Sequence, residues 1–499
     1  MQLNDAFIKS VVQEVLAAMG TKVAATSASG GQHGVFRTVD EAVDAASKAQ
    51  ALFEKRPIED RTKALDCIRK ICREQCEELG RMEFEETKIG RLDHKIAKLG
   101  LIKLVPGVDW LRPDARSGDH GITLEEYTPF GVVGAITPST HSIPTLSGNI
   151  VNIVAAGNAV VLKPGVGGMP AARCLHRLIE LAGIDPRLVG ILPEAAEAAR
   201  MAIAARPDKV LFTGSAAVGE KVLFQLAPQL TPATMELSGC DAAIVRADAD
   251  LDLVVKALKF SLALNDGATC MAPKRVFVSA ARATELEGRL AEAMRPTTIT
   301  LPLSPALKAS FDDLLSHGAH FIAGGLVGDQ SVRLPAVLGG VSPASKFLHE
   351  DVFAPVVALV TVADDHESVL RTNDCPYALG VSIFTQDEAV ARELAGRVNA
   401  GVVTINDLLL PTADARLPFG GRNRSGFGST RGAEGGLSAV LKQGAPGLVP
   451  MTESDLPAVL AIEQDIYEFP WTQGNFRDSL SLKFSGSQRG FVRVKLTII

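Results

Sequence analysis

A cysteine and a glutamate in two short segments are the side chains best suited to covalent chemistry. Cys270 lies in LNDGATCMAPKRVFV, in a Gly-containing turn before a predicted strand, and Glu236 lies upstream in MELSGCDAAIV. A thiol is a strong nucleophile only when deprotonated, and a helix terminus or a cation can lower its pKa. A partly buried carboxylate has a raised pKa and can act as a general base. Alone, a buried cysteine is more often a small apolar side chain than a nucleophile, and such a glutamate can be an ordinary surface or salt-bridged residue.

Two further segments contain residue types that hold a dinucleotide. VLFTGSAAVGEKV predicts a strand, a turn and a helix, and it contains Gly214, Ser215 and Gly219. Backbone N–H groups at such a helix start bind a pyrophosphate well. Lys163 ends the strand in VVLKPG, where its ammonium could reach a ribose or a phosphate. Neither segment is specific alone, so the inference depends on the order and spacing of all four.

The elements around these segments predict parallel sheets. After a helical region at about 35–82, runs such as NAVVLKP, RLVGIL and DKVLFTGS are typical of strands, and they alternate with helices such as AARCLHRLIELAG. That alternation is typical of a doubly wound α/β domain. A second α/β segment begins near MELSGCDAAIVRA and continues to about Leu410.

Five motifs, in order over about residues 35–440, resemble those of the aldehyde dehydrogenase superfamily. They are FTGSAAVG for the cofactor turn, MELSGC for the base, GATCMAPKRV for the nucleophile, HEDVFAPVV for the nicotinamide side and LPFGGRNRSGFG for the closing signature. The resemblance implies an α/β fold with two Rossmann-like doubly wound domains and a small β oligomerisation flap. It implies an NAD(P)-binding domain at 35–235 with flap strands at about 120–135, a catalytic domain at 236–410 and a flap or closing segment at 411–448. A homo-dimer or tetramer is also implied.

The same resemblance implies roles for individual residues. Cys270 would be the nucleophile and Glu236 the general base. The implied cofactor contacts are Lys163 at the adenine ribose, Gly214, Ser215 and Gly219 at the phosphates and adenosine, Asp351 at the nicotinamide ribose, and Phe353 beside the ring. Family members usually have Glu at the position of Asp351.

The implied reaction is the NAD(P)⁺-dependent oxidation of a small aldehyde. The Cys270 thiolate would attack the carbonyl, and the Cys270 backbone N–H and a nearby side chain would stabilise the oxyanion. Hydride transfer to the nicotinamide would then leave an acyl-thioester. NAD is the expected cofactor, but PGVGG after Lys163 lacks the acidic residue of many NAD-preferring relatives, so NADP also fits.

Two sets of residues give opposite indications for the group that releases the acyl chain. Residues 1–160 resemble the CoA-acylating aldehyde dehydrogenases of bacterial microcompartments, which generally lack a Glu at position 236. The presence of Glu236 and the motif LPFGGRNRSGFG instead resemble the hydrolytic, semialdehyde-oxidising branch. Gapless counting from Pro138 places Thr140 where hydrolytic members have an oxyanion Asn, and a Thr hydroxyl can still donate one hydrogen bond. Water and coenzyme A both stay open as acceptors, with acetaldehyde, propionaldehyde, lactaldehyde or a semialdehyde as substrate.

The two ends of the chain are predicted to be separate units. Residues 1–20 predict an amphipathic helix, and 21–34 predict a flexible Gly-rich linker. The helix resembles microcompartment encapsulation peptides, so a shell protein is an expected partner, and packing on its own subunit is the alternative. Residues 449–499 form an atypical tail whose first part resembles the start of ribosomal-protein alanine acetyltransferases. No acetyl-CoA loop follows, so no second activity is expected.

Composition argues against several other classes of function. The net charge of -6, with two Trp and three Tyr, indicates no nucleic-acid partner. The seven cysteines lack the spacing of metal sites, and no apolar run is long enough for a membrane span. We therefore expect a cytoplasmic enzyme, inside a microcompartment if the N-terminal helix docks there. A non-catalytic cargo protein is the alternative, and the Cys270 and Glu236 pair argues against it.

Overall fold

The computed structural model describes residues 34–111, 114–118, 121–125, 127–181, 183–193, 199–200, 203–433 and 438–442, together with positions 10, 13, 449–450 and 492–493. The predicted N-terminal helix, linker and tail therefore lie almost entirely outside the described residues. Among the described residues, no helix has both the length and the apolar character needed to cross a bilayer. The same residues contain no group of three or more His, Cys, Asp or Glu arranged to hold a metal.

The helices and strands alternate along most of the described chain. The helices are α1 Val39–Phe53, α2 Ile58–Glu74, α3 Cys76–Thr87, α4 Leu92–Leu99, α5 Ser142–Ala155, α6 Met169–Leu181, α7 Ala216–Leu226, α8 Leu251–Ala263, α9 Ala283–Met294, α10 Pro305–Ser316, α11 Asp365–Asn373, α12 Glu388–Arg397 and α13 Leu410–Ala413. The strands of the first half are β1 Asp114–Gly118, β2 Gly121–Glu125, β3 Thr128–Pro129, β4 Val132–Ile136, β5 Ala159–Lys163, β6 Val189–Ile191, β7 Lys209–Thr213, β8 Ala233–Glu236 and β9 Ala242–Val245. The strands of the second half are β10 Arg275–Ser279, β11 Ile299–Pro302, β12 His320–Val327, β13 Ser331–Gly339, β14 Val356–Val362, β15 Tyr377–Ala378, β16 Gly380–Phe384, β17 Val402–Ile405, β18 Arg422–Asn423, β19 Gly426–Phe427, β20 Leu441–Lys442, β21 Val449–Pro450 and β22 Val492–Arg493.

Six strands form the first sheet, in the order β19–β8–β7–β4–β5–β6. The strands from β8 to β6 are parallel, and Val133 of β4 pairs with Val160 on one side and Lys209 on the other. Every residue of β4 is buried. Helices α1, α2, α5 and α6 share one apolar core with β4 and β5. A parallel strand covered on both faces needs apolar residues at every position, which explains the run VVGAI.

Eight strands form the second sheet, in the order β11–β13–β14–β10–β9–β16–β17, with β12 paired to β13. The strands from β13 to β17 along this order are parallel. Successive residues of a strand point to opposite faces. Ala242 and Ile244 accordingly pack in one core with α10 and α12, and Ala243 and Val245 pack in the other with α8 and α9. This is the doubly wound α/β architecture that the sequence predicts.

Two strands that were expected in the flap or in the closing segment, β4 and β19, belong to the first sheet instead. β1 and β2 form an antiparallel hairpin, β2 also pairs with β22, and β3 pairs with β20. The strand β4, expected within flap strands at about 120–135, instead lies inside the first sheet because it is apolar throughout. Within the predicted closing segment 411–448, β18 pairs with β15 and β19 extends the first sheet.

Candidate active site

Four neighbouring strands of the first sheet end at one edge, and several of the predicted site residues lie there. β4 ends at Ile136, β5 at Lys163, β7 at Thr213 and β8 at Glu236. The chain passes from β4 to β5 and β6 on one side, and then to β7 and β8 on the other. Ligands of doubly wound sheets bind in the crevice that this reversal leaves at the carboxyl ends of the strands.

The start of helix α7 fits the phosphates of a dinucleotide. Ser215 is exposed, and its hydroxyl caps the helix by accepting a hydrogen bond from the Val218 N–H at 3.4 Å. The first N–H groups of a helix lack intrahelical partners and attract an anion. An ideal Cβ at Gly219 would lie 2.5 Å from Leu237 Cδ2, so the missing side chain allows this helix to lie close to the end of β8. Gly214, in the turn before Ser215, is part-buried.

The other predicted cofactor residues come from both sheets. Lys163 is part-buried at the end of β5. Asp351 and Phe353 lie in the loop before β14, where the Phe353 side chain is 45% exposed. Burial raises the pKa of Tyr377, and the charge of Asp351 raises it further, so Asp351 is near Tyr377, which packs against the apolar core that contains Leu237. An exposed ring and a carboxylate at this place fit a nicotinamide and its ribose.

Three consecutive residues with positive φ form the turn that precedes Cys270. Asn265, Asp266 and Gly267 have φ of 55°, 52° and 71°. An ideal Cβ at Gly267 would lie 2.5 Å from Pro355, so glycine allows the loop before β14 to pack here. The Asn265 amide donates to a carbonyl oxygen of the same turn at 3.0 Å, which stabilises its shape.

The structure brings Cys270 and Glu236 together at the wall of one cavity, which Thr213 also lines. The two side chains are close enough for each to change the pKa of the other. Burial raises the pKa of Cys270 well above its usual range, and the negative charge of Glu236 raises it further. Burial also raises the pKa of Glu236, while the Arg431 guanidinium acts to lower it. The thiol is therefore neutral near pH 7, with a carboxyl group beside it that can take its proton.

Arg431 is a cation of this site that the sequence interpretation missed. Its guanidinium lies 4.9 Å from the centre of the Phe419 ring and donates to the carbonyl oxygens of Pro411 and Thr412, each at 3.1 Å. The charge of Arg431 acts to lower the pKa of Cys270, so it favours the thiolate. Its position soon after the motif LPFGGRNRSGFG was the available sequence signal.

A cavity of about 660 Å³ is lined by Cys270, Glu236 and Thr213. Most of its accessible surface is apolar, and it includes side chains of Leu101, Ile102, Val105, Phe260, Leu264 and Leu409. The predicted cofactor residues, all of which are described, are not among those that line it. The cavity is therefore walled by Cys270 and Glu236 but not by the predicted cofactor residues, and its volume is typical of pockets for drug-sized ligands.

Thr140 does not line this cavity, whereas the next residue, His141, does. The carbonyl oxygen of Thr140 accepts hydrogen bonds from Lys95 Nζ at 2.8 Å and from Asn265 Nδ2 at 3.4 Å. The His141 Nδ1 lies 2.9 Å from Lys98 Nζ. The shape of the turn decides which side chain faces the cavity, and gapless counting from Pro138 could not detect that shape.

A fully buried ion pair holds the turn around His141. Lys95 Nζ and Glu83 Oε1 are 2.7 Å apart, and both side chains have no exposed surface. Lys95 donates to the carbonyl before His141, and the Glu83 carboxylate accepts from the N–H groups of Ser142 at 3.0 Å and Ile143 at 3.3 Å. A carboxylate at the start of α5 satisfies N–H groups that have no intrahelical partner. The motifs gave no signal for this pair.

The imidazole of His141 and the amine of Lys98 both have lowered pKa values. Burial lowers the pKa of His141 well below its usual range, and the positive charge of Lys98 lowers it further. Burial also lowers the pKa of Lys98 to about 7, with Lys95 contributing in the same direction. His141 is therefore neutral near pH 7, while Lys98 changes its charge in that range.

Comparison with known proteins connects this geometry to one family. The model of the aldehyde dehydrogenase family matches residues 13–443. A 4,4'-diapolycopene aldehyde oxidase of a Methylomonas species is 30% identical over 63% of this chain and 61% of its own length. Geranial dehydrogenase of Castellaniella defragrans is 31% identical over 64% of this chain and 70% of its own length. A Mycobacterium ulcerans protein described as an NADP(+) succinate-semialdehyde dehydrogenase is 28% identical over 82% of this chain and 84% of its own length.

The solved structures give the same assignment. The NADP-dependent glyceraldehyde-3-phosphate dehydrogenase of Bacillus halodurans, in complex with NADP, has a TM-score of 0.74 and is 25% identical, with coverage of 81% of this chain and 89% of that chain. The expected fold is confirmed, and NAD(P) is the cofactor of the relatives that it resembles. The chain belongs to the aldehyde dehydrogenase family.

Proposed function

We propose that the chain oxidises an apolar aldehyde through an acyl-thioester on Cys270, with Glu236 as the general base. The observation that carries this proposal is that the Cys270 thiol and the buried Glu236 carboxylate lie together at a cavity with mostly apolar walls. Bound at the α7 start, a nicotinamide dinucleotide would supply the hydride acceptor. Lys163, Gly214, Ser215, Gly219, Asp351 and Phe353 are the residues proposed to hold it.

Glu236, Cys270 and Arg431 have different roles in the formation of the thioester. Glu236 takes the proton of the Cys270 thiol, and the thiolate sulfur forms a bond to the aldehyde carbon, whose oxygen becomes an oxyanion. The fixed positive charge of Arg431 stabilises the thiolate, since it acts to lower the Cys270 pKa. Once the substrate carbon has lost its hydride, Cys270 holds the acyl group as a thioester.

We propose water as the acyl acceptor. After Glu236 has released the thiol proton to solvent, its carboxylate beside the sulfur can take a proton from a water that attacks the thioester carbon. That attack breaks the carbon–sulfur bond and returns Cys270 as a thiolate, with the acid as product. Coenzyme A is the second candidate, because the N-terminal third resembles CoA-acylating enzymes.

The acceptor is tested by following NADH or NADPH formation with and without coenzyme A. We expect steady turnover without coenzyme A in the wild type, one turnover or less in Glu236→Gln, and none in Cys270→Ala. An absolute requirement for coenzyme A, with acyl-CoA as product, would replace water by coenzyme A. Full activity of Cys270→Ala would refute the covalent mechanism.

The proposed substrate is larger than the small aldehydes expected from the sequence. A cavity of about 660 Å³ with apolar walls would leave acetaldehyde with few contacts. Two relatives are named for geranial and for diapolycopene aldehyde, which supports an apolar substrate, whereas the succinate-semialdehyde relatives support a polar one. The apolar walls favour the first class.

Gly148 on α5 provides a sharp test of chain length. It lines the cavity, and within 4 Å of an ideal Cβ there lies only a methyl of Val105 among the described residues. Gly148→Leu should lower kcat/KM for decanal by about tenfold or more, because its side chain fills space that the alkyl chain needs. Propionaldehyde should be almost unaffected, and Gly148→Ala serves as the matched control. An equal loss for both aldehydes would contradict a long substrate chain in this cavity.

The remaining proposals concern cofactor choice and assembly. Val166 follows Lys163 closely in the sequence and is exposed, and it has no charge that would repel the 2′-phosphate of NADP. We therefore propose that both NAD and NADP bind.

The hairpin of β1 and β2 is the proposed flap of a homo-dimer or tetramer. The docking of residues 1–20 on a microcompartment shell stays a prediction, as does a cytoplasmic location.

A further inference from the structure

We propose that the His141 ring, rather than the Thr140 hydroxyl, is the side-chain donor to the oxyanion formed on Cys270, and that Lys98 selects the ring tautomer able to donate. The inference rests on the covalent mechanism proposed above and assigns one further residue of the same site. It follows from the turn geometry, the Lys98 contact and the shared cavity.

The turn before α5 places His141, but not Thr140, at the wall of the cavity. Among the described residues, His141 lines the cavity together with Cys270, and Thr140 does not. Thr140 instead offers its carbonyl oxygen to Lys95 and Asn265. A donor that stabilises an oxyanion must line the space in which the reacting atom lies, and of these two residues only His141 does so.

Lys98 determines which ring nitrogen of His141 carries the proton. An ammonium group has donors and no acceptor, so at 2.9 Å its N–H must donate to the lone pair of Nδ1. The proton of the neutral ring must then be on Nε2, which makes Nε2–H a donor. With Lys98 neutral, the ring is free to carry its proton on Nδ1 and to lose that donor.

The turn is also held rigidly enough for a preorganised donor. The buried Lys95 binds the carbonyl before His141, and the buried Glu83 binds the N–H groups after it. A donor that is fixed before the reaction needs no reorganisation as the charge develops, which is what makes such groups effective. The ring is thus anchored on both sides by main-chain contacts and at Nδ1 by Lys98.

Several charges act on Lys98 and define the expected pH dependence. Lys95 and His94 of α4 and Glu83 of α3 lie near Lys98. Arg431 and Cys270 line the same cavity as Lys98, and their charges also act on its pKa. Lys98 is charged below about pH 7 and becomes neutral above it. The advantage of wild type over Lys98→Met should therefore be largest at pH 6 and shrink above pH 8. The ratio of the two rates cancels ionisations that both proteins share.

The test measures the burst of NADH or NADPH in a single turnover at saturating decanal. His141→Ala should lower the burst rate by about 10²–10³-fold with little change in KM, the effect of losing one oxyanion donor. His141→Asn, whose amide can also donate, should recover most of that loss. Circular dichroism and thermal unfolding of each variant distinguish this pattern from misfolding, since a misfolded site would not be rescued by asparagine.

Three results would overturn the inference. If Thr140→Val lowered the burst rate and His141→Ala did not, the oxyanion donor would be the Thr140 hydroxyl. A rise in KM alone in His141→Ala would make the ring a contact for the substrate body. If the ratio of the wild-type burst rate to the Lys98→Met burst rate did not change with pH, Lys98 would not select the His141 tautomer. Failure of the wild type itself to form a Cys270 acyl adduct, seen by intact mass, would instead refute the proposed function.

Discussion

At the scale of single residues, the site stores a neutral thiol beside its base. Cys270 keeps its proton, because burial and the charge of the nearby Glu236 carboxylate both raise the thiol pKa. We therefore expect Cys270 to react slowly until a ligand or a change of charge favours its deprotonation.

Alkylation by iodoacetamide tests this arrangement. Glu236→Gln removes the negative charge that raises the Cys270 pKa, so Cys270 should alkylate faster in the variant, by about tenfold for each unit by which its pKa falls. In both proteins the rate should rise with pH above 7. Peptide mass mapping identifies the labelled cysteine, with Cys270→Ala as the control. The same substitution should abolish steady turnover, so reactivity and catalysis should change in opposite directions.

At the scale of elements, the Glu83 and Lys95 pair joins α3 and α4 to the start of α5. Breaking a buried ion pair leaves an uncompensated charge, so Lys95→Met should lower the free energy of unfolding by about 3–5 kcal/mol. Urea denaturation measures that loss. The double variant Glu83→Leu/Lys95→Met should recover only part of it, because the N–H groups of Ser142 and Ile143 also lose their acceptor. Full recovery would show that those contacts contribute little.

The turn before Cys270 gives a second test at this scale. Gly267→Ala places a methyl 2.5 Å from Pro355 at a φ of 71°, whereas Gly318→Ala meets nothing within 4 Å at a φ of 88°. Gly318→Ala should cost about 1–2 kcal/mol for its backbone conformation alone. Gly267→Ala should cost more and should also lower the burst rate, since Pro355 follows the loop of Phe353. Equal costs in thermal unfolding would contradict close packing at Gly267.

Much of the element order could be predicted, because local patterns determine it. The runs NAVVLKP and DKVLFTGS contain β5 and β7 as predicted, and the motif order predicted Cys270 and Glu236 in one site. His141, Lys98 and the Glu83 and Lys95 pair could not be found in that way. Their roles depend on a turn and on contacts between distant segments, which no spacing in the sequence encodes.

At the scale of the whole molecule, every described residue that lines the cavity falls in the range from His94 to Arg431. Deletion of residues 1–20 should therefore leave kcat/KM in solution unchanged within error. If that segment is an encapsulation peptide, co-sedimentation with purified microcompartment shells should be lost in the same variant. Loss of solution activity would show that the segment supports the enzyme itself, and retained co-sedimentation would exclude a docking role.

The pairing of β19 with β8 has a consequence for biosynthesis. Gly426 bonds beside Glu236, and an ideal Cβ at Gly426 would lie within 1.9 Å of the Met235 carbonyl oxygen, so the late segment fits tightly against the base. Asn158 in the first core likewise donates to the Val440 carbonyl oxygen at 2.6 Å. Nascent chains fold from the N-terminus as they leave the ribosome. The first sheet therefore lacks its strand β19 until residues 426–427 have been translated. In any shorter nascent chain, the surroundings of the base Glu236 beside Cys270 are incomplete.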